Sequence, residues 1–278
     1  MNMHFNVRHE HRQPARSEDE SPLAFEVMGA VWAWRIWSML AWHDIRLRYR
    51  RSVIGPFWMT LSMAVLITVL GIIYSKLFNI EIRTYLPYLA LGFIVWGFIA
   101  STVNESCAAF QEGEGIIRQI RVPYLVFVFR VVWRNVIVLM HTLVLIVPIV
   151  LIFGVPVRLS TLLVFPGLLI LIANQVWLGL VLGIFSTRFR DIPQVVATGL
   201  QIAIFATPIM WPVSALGEHA YIAQFNPLYH LIEIVRAPLL GDVPHHLSWA
   251  VSIGMVLFGN ALALSVMRAT VRRLIYWL

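Results

Sequence analysis

The chain has 278 residues, of which 59% are hydrophobic and only 13% charged, and its mean hydropathy is +0.78. Soluble domains carry roughly 25% charged residues, so this composition excludes an ordinary soluble domain and requires lipid around much of the surface. The single cysteine excludes an intrachain disulfide framework. The formal net charge of +7 would suit a nucleic-acid partner, and the placement of the basic residues along the chain decides that question.

The N-terminal region divides into a polar tail and a tryptophan-rich segment. Residues 1–22 lack the apolar core of a signal peptide and are predicted to form a disordered cytosolic tail. Residues 23–42 are long enough to span a membrane, but they contain Glu26, Arg35 and four tryptophans. Because charges are costly at the bilayer centre and tryptophan favours the headgroup level, we predict an interfacial helix on the cytosolic face. A seventh span is the alternative.

The segment WHDIRLRYRRSVIGPFW, residues 42–58, concentrates basic residues directly before the first long apolar run. Arginines at the mouth of a span suit contacts with anionic lipid headgroups. We therefore predict that this segment fixes the start of the first span at the cytosolic headgroups. The residues assigned to this role are Asp44, Arg46, Arg48, Arg50 and Arg51.

Six stretches of about 20 mostly apolar residues are each long enough to cross the hydrocarbon core as a helix. A helix satisfies its own backbone hydrogen bonds in lipid, which an open strand edge does not. The sequence therefore predicts an all-α integral membrane protein, with one transmembrane domain over 23–278. The predicted spans are 57–78, 86–106, 131–153, 160–185, 194–213 and 248–267.

The basic residues set the orientation of these spans. With the N-terminus inside, most of the 21 lysine and arginine residues fall on the cytosolic side, and the outside keeps Lys76, Arg83, Arg158 and Arg236. This pattern predicts a multi-pass protein with both termini in the cytosol. It also accounts for the basic excess without nucleic acid.

Two cytosolic connections carry paired charges. In FQEGEGIIRQIRVPY, residues 110–124, acidic residues precede basic ones around an apolar face, as the helix dipole favours. We predict a short amphipathic helix that docks in a groove of a cytosolic partner, with an ordinary interfacial helix as the alternative. The charged residues of this segment are Glu112, Glu114, Arg118 and Arg121, and those of the next cytosolic turn are Arg188, Arg190 and Asp191.

The outer connection, residues 204–244, is too apolar for a solvated loop and too interrupted by proline for a clean span. Two short helices joined at Asn226-Pro227 are predicted, because irregular backbone at membrane depth requires cover by protein. A re-entrant hairpin over an outer pathway is the favoured interpretation, and a loop lying flat on the membrane is the alternative. Glu233 and Arg236 lie three residues apart, so they are expected to pair on one helical face.

No pattern of catalytic or metal-binding residues stands out. The single lysine, Lys76, follows no glycine-rich loop, so the chain has no P-loop for ATP, and it has no HExxH pattern. Two arginines near the inner end of the third span, Arg130 and Arg134, are expected to extend their side chains to the cytosolic interface. We therefore expect no catalytic residue, no metal site and no cofactor bound by this chain.

Three stretches together resemble the permease subunits of type-2 ABC exporters. They are DIRLRYRRSVIGPFW from Asp44 to Trp58, RFRDI from Arg188 to Ile192, and PIMWP from Pro208 to Pro212 followed by NPLYHL from Asn226 to Leu231. They occur in the family's order, and the resemblance covers roughly residues 23–275. The subgroup that it favours exports polysaccharides such as O-antigen, capsule and teichoic acid.

The resemblance implies a homodimer in the bacterial cytoplasmic (inner) membrane that works with two copies of a separate ATPase, which binds ATP and Mg²⁺. It implies that the charged residues of 110–124 and 188–191 contact that ATPase, and that the arginines of 42–58 meet the pyrophosphate of a lipid-linked glycan. An exporter of drugs or small lipids is the alternative. A glycan-modifying enzyme using Glu233 and His230 is a further one. The residues assigned to the outer gate are Phe205, Pro208, Trp211, Asn226, Pro227, Tyr229, Glu233 and Arg236.

Overall fold

A computed structural model of the chain describes residues 22–50, 55 and 57–278. The predicted N-terminal tail, apart from Pro22, and Arg51 lie outside these residues. Every regular element in the described part of the chain is helical. The α-helices are α1 Pro22–Trp32, α2 Trp34–Arg48, α3 Phe57–Leu77, α4 Ile82–Ser106, α5 Ala109–Glu112, α6 Glu114–Ile117, α7 Leu125–Leu143, α8 Ile146–Phe153, α9 Val164–Arg188, α10 Ile192–Ala206, α11 Pro227–Leu239, α12 His246–Thr270 and α13 Leu274–Trp277. Two 3₁₀ segments, Leu159–Leu163 and Val213–Phe225, complete the regular structure.

The all-α membrane fold predicted from composition is confirmed. Within the described residues, five helical stretches are long and apolar enough, by length and composition, to cross a bilayer. The number of spans stays a prediction, because the helix in the place of the fifth span is shorter than expected. The five long stretches are Phe57–Leu77, Ile82–Ser106, Leu125–Phe153, Leu159–Arg188 and His246–Thr270.

The fifth predicted span, 194–213, is helical only as far as Ala206. The 15-residue helix α10 gives way to extended backbone at Thr207, with φ −97° and ψ 139°. Thr207 precedes Pro208, and the residue before a proline is sterically disfavoured in the helical region. The chain from Thr207 to Pro212 is therefore irregular, and its polar backbone groups need partners from neighbouring elements.

The tryptophan-rich N-terminal segment forms two helices instead of one over 23–42. The helical path bends at Ala33, and α2 continues to Arg48. Helix α2 packs along α7, and α1 packs against α7 and α12. Trp32, Trp34 and Trp42 remain exposed on the outer side of this pair.

Helix α4 forms the centre of the bundle and packs against α3, α7, α9 and α11. Two glycines on one face of α9 allow a close approach to the end of α4. A Cβ atom at Gly179 would lie 2.7 Å from the Ser106 Oγ, and one at Gly183 would lie 2.9 Å from the Phe110 ring. Larger residues at either position would force α9 away from α4 and α5.

Candidate functional site

Seven polar side chains from four helices meet where α4 ends and α7 begins. We call this group the Arg134 cluster, after the arginine at its centre. Helix α2 contributes an aspartate and an arginine, α4 and α5 one glutamate each, and α7 two arginines and an asparagine. The members are Asp44, Arg48, Glu105, Glu112, Arg130, Arg134 and Asn135.

Asp44 joins α2 to α7 through two arginines. The guanidinium of Arg130 donates two hydrogen bonds to the Asp44 carboxylate, from Nε to Oδ2 at 2.7 Å and from a terminal nitrogen to Oδ1 at 2.6 Å. Arg134 donates a third to Oδ2 at 2.9 Å. Burial favours the neutral carboxyl, but the hydrogen bonds and charges of Arg130 and Arg134 outweigh it and hold the pKa of Asp44 below its ordinary value. Asp44 is therefore ionised at neutral pH and fixed within the protein.

Glu105 joins α4 to α2 and α7, as Asp44 joins α2 to α7. Its Oε2 accepts hydrogen bonds from Arg134 Nε at 3.0 Å and from the Asn135 side-chain amide at 2.7 Å. Its Oε1 accepts one from Arg48 at 2.8 Å. Glu112 of α5 lies 3.5 Å from Arg134. One arginine thus contacts carboxylates of α2, α4 and α5.

The expected extension of Arg130 and Arg134 to the cytosolic interface stays a prediction, but both side chains are paired inside the protein instead of facing solvent. Arg134 is only 4% exposed, because carboxylates from three other helices neutralise it where it stands. The three carboxylates balance the three arginines of the cluster in formal charge. Removing one partner of such a buried network leaves an uncompensated charge, which is strongly destabilising.

A second buried arginine lies toward the other end of α4. Arg236 of α11 is 1% exposed, and it donates two hydrogen bonds to Glu233, at 2.7 and 3.1 Å. The pairing predicted from the three-residue spacing is therefore present. Its remaining terminal nitrogen donates to the Pro208 carbonyl at 2.7 Å, and its guanidinium lies 3.9 Å from the centre of the Tyr88 ring.

The irregular Thr207–Pro212 segment is held by hydrogen bonds that tyrosine side chains of α4 donate to its backbone carbonyls. The Tyr88 hydroxyl donates to the Pro208 carbonyl at 2.9 Å, and the Tyr85 hydroxyl donates to the Met210 carbonyl. We call Tyr85, Tyr88, Pro208, Glu233 and Arg236 the Arg236 cluster. It supplies the hydrogen-bond partners that non-helical backbone needs in an apolar setting. Since Tyr88 and Glu105 are about 17 residues apart on α4, the two clusters are separated by about 25 Å along that helix.

Asn226 connects the remaining parts of the predicted outer gate. Its side chain accepts from the Leu228 backbone N–H at 2.9 Å, which caps α11, and Pro227 occupies the first helical position. Its amide nitrogen donates to the Thr207 hydroxyl at 2.9 Å. The Trp211 indole donates to the Phe205 carbonyl at 2.9 Å, while the Phe205 ring is exposed. Asn226 and Arg236 therefore both contact the irregular Thr207–Pro212 segment, from the start and the later part of α11.

The glycan-modifying alternative required Glu233 and His230 to act together, and the structure gives them different hydrogen-bond partners. His230 is buried, and its ring nitrogens lie 2.9 Å from the Ser248 hydroxyl and 2.8 Å from the Gln224 carbonyl. Glu233 instead faces Arg236. No group of metal-ligating side chains occurs among the residues that the structure describes.

The residues predicted to contact an ATPase lie on two neighbouring surfaces. Helices α5 and α6, separated at Gly113, replace the single helix expected in 110–124, and Glu114 pairs with Arg118 at 2.7 Å on an exposed face. The Gln111 side chain donates to the Ser186 carbonyl at 3.5 Å, so α5 lies beside the end of α9. There the Arg188 guanidinium lies 5.6 Å from the Trp277 ring, and Arg190 and Asp191 are exposed.

The residues predicted to meet headgroups divide into two groups. Asp44 and Arg48 are engaged within the Arg134 cluster, whereas Arg46 and Arg50 are exposed. Sequence reasoning did not include Glu105, Arg134, Tyr85 and Tyr88 among the site residues. Charges inside an apolar stretch were the available signal for Glu105 and Arg134. The tyrosine hydroxyls gave none.

A bundle of long apolar helices, with charged residues paired inside it, is typical of a multi-pass membrane protein. The model of the family described as ABC-2 type transporter matches residues 36–240, and the chain belongs to this family. Membership implies an ABC ATPase as partner.

The chain is also similar to relatives in two bacteria. One is the O-antigen export system permease protein RfbA of Klebsiella pneumoniae, which is 26% identical over 193 residues, covering 68% of this chain and 74% of the relative. The protein of the same name from Myxococcus xanthus is 24% identical over 209 residues, covering 71% of this chain and 77% of the relative.

Proposed function

We propose that this chain is the membrane-spanning permease subunit of an ABC transporter that exports a lipid-linked polysaccharide of the O-antigen type across the bacterial cytoplasmic membrane. The observation that carries the proposal is the similarity to O-antigen export permeases over about two thirds of the chain, together with the family match. The chain works as a homodimer with two ATPase subunits, which bind ATP and Mg²⁺. Both termini lie in the cytosol.

In this assignment the α5–α6 segment and the Arg188–Asp191 turn form the surface that the ATPase contacts. Glu112 links that surface to the Arg134 cluster, and the cluster contains carboxylates or arginines of α2, α4, α5 and α7. A displacement of α5 is therefore transmitted to three other helices by charged contacts of 2.6 to 3.5 Å. This arrangement suits a subunit that converts the movement of a partner into a movement of spanning helices.

Deletion of the gene in its host tests the cargo. We expect the lipid-linked glycan to accumulate at the cytosolic face and to reappear at the cell surface when the wild-type gene is restored. An unchanged surface glycan, with loss of drug or small-lipid export instead, would favour the alternative exporter class.

Purified complexes test the assignment of the ATPase surface. Replacing Glu112 and Glu114 by alanine should leave ATP hydrolysis by the complex in place but reduce glycan export per ATP several-fold. Glu218→Ala is the matched control, since Glu218 is exposed in the Val213–Phe225 segment. A chain that never co-purifies with an ATPase contradicts the proposal.

Exposed arginines before the first span are proposed to meet the pyrophosphate of the glycan carrier. Arg46→Gln with Arg50→Gln leaves the Arg134 cluster intact and should reduce export more than it reduces the amount of protein in the membrane. The matched control removes two exposed arginines near the C-terminus, Arg272→Gln with Arg273→Gln. Equal losses of export and of membrane protein would make Arg46 and Arg50 anchors only.

A further inference from the structure

Glu26 of α1 is a buried carboxylate that contacts the beginning of α7. The residue is 4% exposed, and its Oε2 accepts a hydrogen bond from the Tyr124 backbone N–H at 2.7 Å. The first N–H groups of a helix have no partner within the helix, and α7 has no side-chain cap from Tyr124 itself. Glu26 thus caps a 19-residue helix from another element.

Two neighbours of Glu26 hold α1 against the same short stretch of chain. A Cβ atom at Gly29 would lie 2.9 Å from the Pro123 ring, so only glycine permits the observed approach. The Arg121 guanidinium lies 5.5 Å from the centre of the Phe25 ring. Residues 25, 26 and 29 therefore contact one continuous segment, 121–125, which joins α6 to α7.

This segment leads directly from the proposed ATPase surface into the bundle. At its near end lie α5 and α6, and Glu112 of α5 lies 3.5 Å from Arg134 of α7. At its far end the first turn of α7 is capped by Glu26. A movement of α6 reaches α7 only through residues 121–125, and α1 contacts this segment.

Resting on the proposed function, we propose that Glu26 is a positioning residue that makes α1 move together with the α6–α7 connection when the ATPase displaces α5 and α6. The carboxylate acts through the Tyr124 amide and touches neither substrate nor nucleotide. Its contribution is to keep the start of α7 and the interfacial region in one rigid unit.

Amide hydrogen exchange in the full complex tests the contact itself. Glu26→Ala should raise the exchange rate of the Tyr124 amide about ten-fold, the change expected when a hydrogen bond to a charged group is lost. Glu26→Gln retains an acceptor oxygen and should restore slow exchange. Unchanged exchange in Glu26→Ala overturns the proposal, whether or not the chain exports a glycan.

Reconstituted complexes test the consequence for transport. Glu26→Ala should leave the KM of the ATPase for ATP unchanged while export per ATP falls several-fold, and Glu26→Gln should rescue export. Gly29→Ala, which retains the carboxylate but forces α1 away from Pro123, should reproduce the loss, and Glu81→Ala is the exposed control.

The outcomes distinguish this inference from the proposed function. Normal export per ATP in both Glu26→Ala and Gly29→Ala overturns the positioning role. A wild-type complex that exports no glycan overturns the proposed function instead, and the exchange rates then decide the role of Glu26 on their own.

Discussion

The Arg134 cluster and the Arg236 cluster both bury an arginine, but they hold it by different means. Arg134 is surrounded by carboxylates from three other helices, and two of these, Asp44 and Glu105, also pair with Arg130 and Arg48. Arg236 has one carboxylate, three residues away on its own helix, and otherwise contacts a backbone carbonyl and an aromatic ring. The first arrangement ties long helices together, whereas the second ties irregular backbone to a long helix. The network of several ion pairs therefore lies in the part of the bundle where α2, α4, α5 and α7 meet.

The largest effect is expected from removing the centre of the Arg134 cluster. Arg134→Ala leaves three carboxylates with two arginines in a buried site, which should lower the free energy of unfolding by about 3–5 kcal/mol. Unfolding of the purified chain in mixed micelles measures this. Arg268→Ala removes an exposed arginine and should change the free energy little. A loss below about 1 kcal/mol in Arg134→Ala would mean that the cluster behaves like a surface ion pair.

The carboxylates of Glu26 and Asp44, one on each N-terminal helix, are expected to respond differently to pH. Burial raises the pKa of Glu26 to about 7, although the Tyr124 and Leu125 amides and the Arg121 charge act to lower it. The folded chain therefore binds this proton more tightly than the unfolded chain, so the associated stability is present below pH 4.5 and is lost as the pH rises through 7. The loss corresponds to about 3 kcal/mol.

Glu26→Gln should remove this pH dependence, because glutamine keeps the acceptor oxygen and does not titrate. The measurement is the free energy of unfolding between pH 5 and 8. Asp44→Asn serves as the comparison. Arg130 and Arg134 lower the pKa of Asp44 against the effect of burial, so Asp44 is ionised in both the folded and the unfolded chain over that pH range. The free energy of unfolding of Asp44→Asn should therefore depend on pH as it does in the wild-type chain. A wild-type slope in Glu26→Gln contradicts the assignment.

Double-mutant cycles test whether the Arg134 cluster and the Arg236 cluster are energetically independent. A double-mutant cycle with Asp44→Asn and Arg130→Gln should give an interaction energy of about 1–3 kcal/mol, since the two side chains share two hydrogen bonds. The same cycle with Asp44→Asn and Glu233→Gln crosses the two clusters and should be additive within about 0.5 kcal/mol. Strong coupling in the second cycle would mean that the clusters form one network.

The smallest effect is expected in the Arg236 cluster. Tyr88→Phe removes the hydroxyl that donates to the Pro208 carbonyl but keeps the ring beneath the guanidinium, and the carbonyl retains its bond from Arg236. We expect a loss of about 1 kcal/mol in the same unfolding measurement. Tyr221→Phe, at an exposed position, is the control. A loss as large as that in Arg134→Ala would remove the contrast between the clusters.

Local pattern was enough to predict part of this molecule. Runs of apolar residues predicted the long helices, and the three-residue spacing of Glu233 and Arg236 predicted their pairing. The end of α10 followed from a proline that was visible in the sequence, yet the apolar run beyond it led to a longer predicted span.

The Arg134 cluster was beyond such reasoning. Asp44 lies 86 residues before Arg130 in the chain, and periodicity gives no information about partners at that separation. Glu105 received no assignment from the sequence, and Glu26 counted only as a charge that disfavours a membrane span. Their meaning depends on which helices pack together, and that is a property of the whole bundle.

The central position of α4 has a consequence for how the chain is made. In its most apolar stretch 78% of the residues are buried by other elements, against 17% for α3. Yet α4 is the second of the long helices to be synthesised, and α11, which covers its Tyr88 side, begins about 120 residues later. At roughly 5–20 residues per second, the ribosome delivers that cover some 6 to 24 seconds after α4 is complete. During that interval the central helix lacks the cover of α11, and its apolar surface is compatible with lipid as well as with the packed bundle.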